Sequence, residues 1–154
     1  MPPATVEAVF SSINAAYQYR HEPLGLDLWL TPAEFMAAGG GDCEDFAIAY
    51  WHALRHHQGH ARVACCWRVD KQAHMVCLYY PPDDADPLVL DVVADAVCRL
   101  SERPDLVVLY ELGADGIYGR PRAPATPWPP YWIGPVTQIA PWVGMLARMK
   151  GEMQ

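Results

Sequence analysis

Gly39-Gly40-Gly41-Asp42-Cys43-Glu44-Asp45-Phe46 lies between two helical patterns, and its reading decides the fold. Three glycines let the backbone turn tightly and leave room for another chain beside it. Asp42 stands as a helix cap, and the segment after it predicts a helix from Cys43 to about His57. A thiol on the first residue of a helix meets free backbone N–H groups and the positive end of the helix dipole, which favour thiolate. The same N–H groups can hold a developing oxyanion. Cys43 is therefore the candidate nucleophile. Asp42, Glu44 and Asp45 work against it, because nearby negative charge raises a thiol pKa. Either these acids simply cap the first turn, or they bind a hard cation such as Ca²⁺ through oxygen and so cancel the unfavourable field.

Working outward, Val6, Val9, Phe10, Ile13, Ala16 and Tyr17 recur at helical spacing and predict a helix over 4–20. A loop with Pro23 and Gly25 follows, and Thr31-Pro32 starts a short helix through Phe35 and Met36. After Gly59 come three runs of β character, over 61–69, 74–80 and 88–93, with Pro81-Pro82 as a turn. A fourth strand is expected over 105–112. Helices followed by a meander of strands imply an α+β fold, with the N-terminal helices packed on an antiparallel sheet. From Pro121 to Pro141 there are seven prolines, interspersed with Trp128, Tyr131 and Trp132 and followed by Trp142. Such a segment joins neither a central strand nor a long helix. It is expected to wrap over the domain and to end in a short helix over 143–150. Residues 1–120 thus form the domain, and 121–154 a Pro/Trp-rich C-terminal extension packing on it.

A base has to serve the thiol, and helical geometry disposes of several of the six histidines. At 100° per residue, His52 and His56 lie about 180° and about 220° around the helix from Cys43. His57 and His60 sit at the helix end, and His21 lies in a polar loop. His74 instead opens the apolar strand His-Met-Val-Cys-Leu-Tyr-Tyr, where it can face the helix N-terminus. Asp91 closes Leu88-Val89-Leu90 one strand and one turn later, a length that can bring it beside His74. Nucleophile, base and orienter in the order Cys43, His74, Asp91 satisfy the logic of a catalytic triad.

Composition narrows the alternatives. Eleven Lys and Arg against eighteen Asp and Glu give a net charge of −7, so nucleic acid is not an expected partner. No run approaches the roughly 20 apolar residues of a membrane helix, so membrane insertion is not expected. The N-terminus lacks the basic start and apolar run of a secretory signal. That points to the cytoplasm as written, or to the periplasm if a signal has been removed. Cys43, Cys65, Cys66, Cys77 and Cys98 make an odd set without a Cys-x-x-Cys pair, which argues against a structural zinc site.

Gly41-Asp42-Cys43-Glu44-Asp45-Phe46-Ala47-Ile48-Ala49 resembles the nucleophile motif of the bacterial transglutaminase-like cysteine peptidases. Trp29-Leu30-Thr31-Pro32-Ala33-Glu34-Phe35, Ala73-His74-Met75-Val76, Pro87-Leu88-Val89-Leu90-Asp91 and Arg103-Pro104-Asp105-Leu106 extend the resemblance in the same order. It implies a papain-like fold and a Cys–His–Asp triad carried onto Cys43, His74 and Asp91. It also implies a Ca²⁺ site beside the nucleophile, at Asp42 and Asp45 with Glu44 contributing. By the same resemblance, the substrate is a protein or peptide, such as the membrane-anchored biofilm adhesin cut by the best-known members. A regulatory protein partner is implied too, since those members are restrained by a membrane receptor that senses cyclic di-GMP. The expected activity is that of a monomeric cysteine peptidase or amidase. Acyl transfer to an amine, as in a transglutaminase, is one rival. A non-catalytic protein-binding module on the same fold is the other.

Overall fold

The computed structural model of the chain describes residues 4–21, 28–69, 72–119 and 131–152. Two helices, α1 (Ala4–Ala16) and α2 (Pro32–Ala38), precede the central helix α3 (Cys43–Leu54). Two short strands, β1 (Gln18–Tyr19) and β2 (Gly40–Gly41), run parallel to each other beside them. The main sheet takes β3 (His60–Arg68), β4 (Ala73–Tyr80), β5 (Leu88–Leu90), β6 (Cys98–Arg99), β7 (Leu106–Leu112), β8 (Ile117–Gly119) and β9 (Tyr131–Gly134). Its order is β6-β5-β4-β3-β7-β8-β9, and every neighbouring pair is antiparallel. A last helix, α4 (Ala140–Glu152), closes the described chain. Helices on an antiparallel sheet, as expected, define an α+β fold.

Helix α3 is buried along most of its length, and Phe46, Tyr50, Trp51 and Leu54 pack on Val63, Cys65, Cys77, Leu90 and Leu112 of the sheet. Each such side chain contributes about 1.5–3 kcal/mol when fully buried. The alternate residues Ala64, Cys66, Val76, Leu78, Val89 and Val108 form a second buried cluster. Burial on both faces explains why these strands read as continuous apolar runs rather than as a clean alternation. Among the described residues no helix is long and apolar enough to cross a membrane.

Several boundaries differ from the sequence expectation, for physical reasons. The helix expected over 4–20 stops at Ala16, because the next residues leave it to pair with the glycine run. Gln18 N–H donates to Gly39 O at 2.9 Å, and Arg20 N–H to Gly41 O at 2.7 Å. A Cβ on Gly40 would stand 1.9 Å from Gln18 O, and the Gly40 φ of +148° is one that side chains rarely adopt. Helix α3 ends at Leu54 rather than near His57. The third strand ends at Leu90, not 93, because Asp91 folds back to accept the Val93 N–H on Oδ1 at 3.2 Å.

Of the proline-rich segment, 120–130 lies outside the described residues. β9 is the outermost strand of the sheet, the position that flanking prolines permit. Helix α4 is longer than the sequence suggested, with Pro141 in its first turn, where the missing N–H costs nothing. Its Trp142 and Met145 are wholly buried, Trp142 meeting the Trp51 ring edge-on at 5.0 Å. The far end of α4 clasps the start of α2: Arg148 Nη2 donates to Trp29 O at 2.6 Å and pairs with Glu34. Thr31 Oγ1 donates to Glu152 Oε1 at 2.8 Å.

Gly40→Ala is expected to cost on the order of 3 kcal/mol, from the clash with Gln18 and the strained φ together. Gly151→Ala, where a Cβ would meet nothing within 4 Å, serves as the neutral control. Thermal melts of the two variants check this, and an unchanged midpoint for Gly40→Ala would contradict the tight β1–β2 contact.

Candidate active site

Cys43 is the first residue of α3, and its backbone N–H has no acceptor within the helix. The thiol meets β4 where β5 has not yet begun to pair, since β5 covers only Cys77, Leu78 and Tyr79. There the backbone N–H of Met75, the residue after His74, acts to favour the ionised thiol. The thiol itself donates to Glu44 Oε2 at 3.4 Å.

His74 and Asp91 meet as the spacing suggested. His74 Nε2 lies 2.7 Å from Asp91 Oδ1, with His74 6% exposed and Asp91 0%. Arg103 completes this corner: its Nη2 donates to Asp91 Oδ2 at 3.0 Å and to Asp105 Oδ2 at 2.9 Å, while Nε donates to Asp105 Oδ1 at 2.9 Å. Burial pushes the Asp91 carboxyl up, but the His74, Arg103 and Val93 hydrogen bonds outweigh it and hold the group below the usual carboxylate range. Sequence reading noted Arg103 only as part of a motif, not as a partner of Asp91. Its one available signal was the local Arg-Pro-Asp spacing, which fixes the Arg103–Asp105 fork.

Asp42, Glu44 and Asp45 are all buried, and one ligand oxygen from each falls within 4.8 Å of the others. Asp45 Oδ2 accepts the Asp42 N–H at 3.1 Å, and Oδ1 accepts the Leu30 N–H at 2.9 Å. Gly41 has to be glycine here, since a Cβ would stand 2.3 Å from Asp45 Oδ2. Burial raises the Asp42 carboxyl to about 7, with Glu44 adding to the effect. Burial raises Asp45 to about 7 as well, against the pull of the Leu30 and Asp42 N–H groups and with the help of the Asp42 charge. The Cys43 thiol rises with them, from burial first and then from Glu44, although the Met75 N–H works the other way. Asp42 Oδ1 is buried with no hydrogen-bond partner among the described residues. Three buried carboxylates and an orphaned oxygen fit a hard divalent cation and its all-oxygen ligation.

Asn14, on α1, is engaged away from the thiol. Asn14 Oδ1 accepts the Tyr50 hydroxyl, seven residues down α3 and about 10 Å along its axis. The Gln18 side chain is exposed, and Trp29 is buried near the start of α2. All five cysteines are free, and Cys65, Cys66 and Cys77 lie buried within β3 and β4. His56 faces solvent and accepts from Arg55 Nε at 3.1 Å.

A helix-start cysteine on an antiparallel sheet, beside a buried His–Asp pair, defines the transglutaminase-like class of cysteine peptidase folds. No family model and no curated protein sequence matches the chain. Solved structures do. An EGTA-treated form of Legionella pneumophila LapG superposes with a TM-score of 0.79 at 31% identity, over 94% of this chain and 77% of that one. A second LapG structure gives 0.77 at 30% identity over 94% and 76%. The calcium-bound form gives 0.75 at 30% over 94% and 78%. The chain belongs to the LapG-like family of transglutaminase-like cysteine peptidases.

The raised Asp42 and Asp45 values fix the sign of a pH effect. An unfolded Asp releases its proton near 3.9, whereas the folded pair holds protons to about 7. Between those values the folded state binds more protons, so stability falls as pH rises through the window. Asp91 acts in the opposite sense, and only below its ordinary value, where its contribution is lost on acidification. In chelator, the melting temperature is therefore expected to rise as pH is lowered from about 8 to about 5. A midpoint that is flat or falls over that interval would show that Asp42 and Asp45 do not hold their protons in this way.

Proposed function

We propose that the chain hydrolyses a peptide bond in a protein substrate through Cys43, His74 and Asp91, with calcium held by Asp42, Glu44 and Asp45. The observation that carries this reading is the His74 Nε2–Asp91 contact at 2.7 Å, one residue from the Met75 N–H that meets the thiol. With Nε2 committed to Asp91, Nδ1 is the imidazole nitrogen left to exchange a proton with Cys43. Arg103 keeps Asp91 ionised, so the carboxylate orients the imidazole and stabilises its charged form.

In the first half-reaction the thiol proton passes to His74 and Sγ adds to the scissile carbonyl carbon. The carbonyl electron pair moves onto oxygen, next to the Cys43 N–H. Collapse breaks the C–N bond, the amine leaves with the His74 proton, and a thioester remains. Water then gives a proton to His74 and adds to the thioester. The second collapse frees the carboxylic acid and returns the proton to sulfur.

The bound cation supplies positive charge that offsets the carboxylate field around the thiol. Glu44 competes with the base for the thiol, since Sγ–H donates to its Oε2 at 3.4 Å. The existence of a calcium-bound LapG structure supports this assignment for the present chain.

Cys43→Ala is expected to abolish turnover and to leave the melting temperature within a few degrees, since it removes one sulfur at a helix start. Full turnover by that variant would sink the mechanism. Chelation by EGTA is expected to lower both activity and melting temperature, and excess Ca²⁺ to restore them. Asp45→Asn should lose the calcium-dependent shift in melting temperature. If EGTA changes neither property, the acidic cluster is a helix cap and nothing more.

A further inference from the structure

A tetrahedral oxyanion is commonly held by two donors, and the backbone N–H of Cys43 supplies one. We propose that the second is the hydroxyl of Tyr19, an inference that rests on the hydrolase reading above. β1 places this residue: Tyr19 pairs with Gly41, two positions before the thiol, through the parallel contact that Gly40 makes close enough to form. The ring then lies against Phe46, with centroids 6.3 Å apart and planes inclined by 35°. Phe46 is one helical turn after Cys43 and so on the same side of α3. The edge of His21 meets the ring from another side at 5.2 Å. Between these contacts the phenol has little freedom.

The hydroxyl makes no hydrogen bond with any described residue, although the side chain is half-buried. After burial, the Cys43 thiol is the group that acts on it most strongly, ahead of Asp42, Glu44 and Asp91. An O–H with no acceptor among the described residues, on a ring held beside the start of α3, is a donor open to an oxyanion formed on Cys43. The same surroundings raise Tyr19 to about 12, so the phenol keeps its proton wherever the thiol chemistry runs. Sequence periodicity hid this residue, because apolar spacing through Tyr17 extended the first helix over it.

The test compares two reactions of the same thiol in the intact chain with Ca²⁺ present. p-Nitrophenyl acetate acylates sulfur through a tetrahedral oxyanion: the thiolate adds to the carbonyl carbon, the electron pair moves onto oxygen, and p-nitrophenolate leaves when it returns. Iodoacetamide alkylates sulfur by displacement of iodide and forms no oxyanion. Tyr19→Phe removes only the unpartnered hydroxyl and keeps the ring packed, so the fold should survive and the melting temperature should hold. The expected result is Cys43 acylation slowed by about 100-fold, with alkylation of Cys43, followed by mass spectrometry, within twofold of the parent chain. Equal acylation in the variant overturns the proposal, leaving Tyr19 as a wall of the cleft. A parallel loss in both reactions also overturns it, since Tyr19 would then be supporting the thiol rather than the oxyanion. A parent Cys43 that reacts with both reagents no faster than a free thiol sinks the hydrolase reading itself, and the Tyr19 role with it.

Discussion

Asp45 accepts from two backbone N–H groups with one carboxylate, Leu30 on one oxygen and Asp42 on the other, and the arrangement around the thiol depends on that fork. The Asp42 bond fixes how the chain enters α3, and hence where Cys43 stands at the helix start. The Leu30 bond ties the loop before α2 to the same point. Gly41 has to yield its Cβ to let the carboxylate through, and Gly40 has to yield its own to let β1 approach. The glycine run is therefore shaped by contacts on both sides rather than by flexibility. One side chain organises the turn, the helix start and the strand that carries Tyr19.

Two groups of buried carboxylates a short distance apart are treated oppositely by the protein. Asp91 is wholly buried, yet its three hydrogen-bond donors hold it ionised. Asp42 and Asp45 meet backbone N–H groups and each other, Asp42 also faces the Glu44 carboxyl, and both retain protons to about 7. The difference is the guanidinium of Arg103, which is itself anchored to Asp105 and so cannot turn away. Permanent positive charge is built directly against Asp91. The proposed nucleophile lies between a corner where a guanidinium holds the carboxylate ionised and one where three carboxyl groups crowd together.

Much of this was legible in the sequence because it is local. Thr31-Pro32 with Glu34 encodes a capped helix start, and the box forms with Glu34 N–H to Thr31 Oγ1 at 3.1 Å and Thr31 N–H to Glu34 Oε1 at 2.9 Å. The glycine run followed by Asp42-Cys43 encodes another helix start, and the strand, turn and strand after His74 encode the pairing that brings Asp91 near it. What could not be read are contacts between distant segments. β1 is two residues long and has no pattern of its own; only its meeting with Gly40 and Gly41 makes it a strand. Arg103 reaches Asp91 from a short helical turn whose position depends on β5, β6 and β7 together. The join of β7 to β3, rather than to an outer strand, is likewise a property of the whole sheet.

The clasp between α4 and α2 has a consequence for how the protein comes into being. Thr31 is bound to Glu152 and the Trp29 carbonyl to Arg148, one residue from the Leu30 N–H that Asp45 holds. On the ribosome, chains emerge at about 5–20 residues per second, and early segments begin folding as they appear. Here the loop that braces the nucleophile cannot be secured until residue 152 has been made, because its last tether lies there. Until then the emerging chain carries this loop without its α4 tethers, so that part of the fold is completed late rather than when its own residues appear.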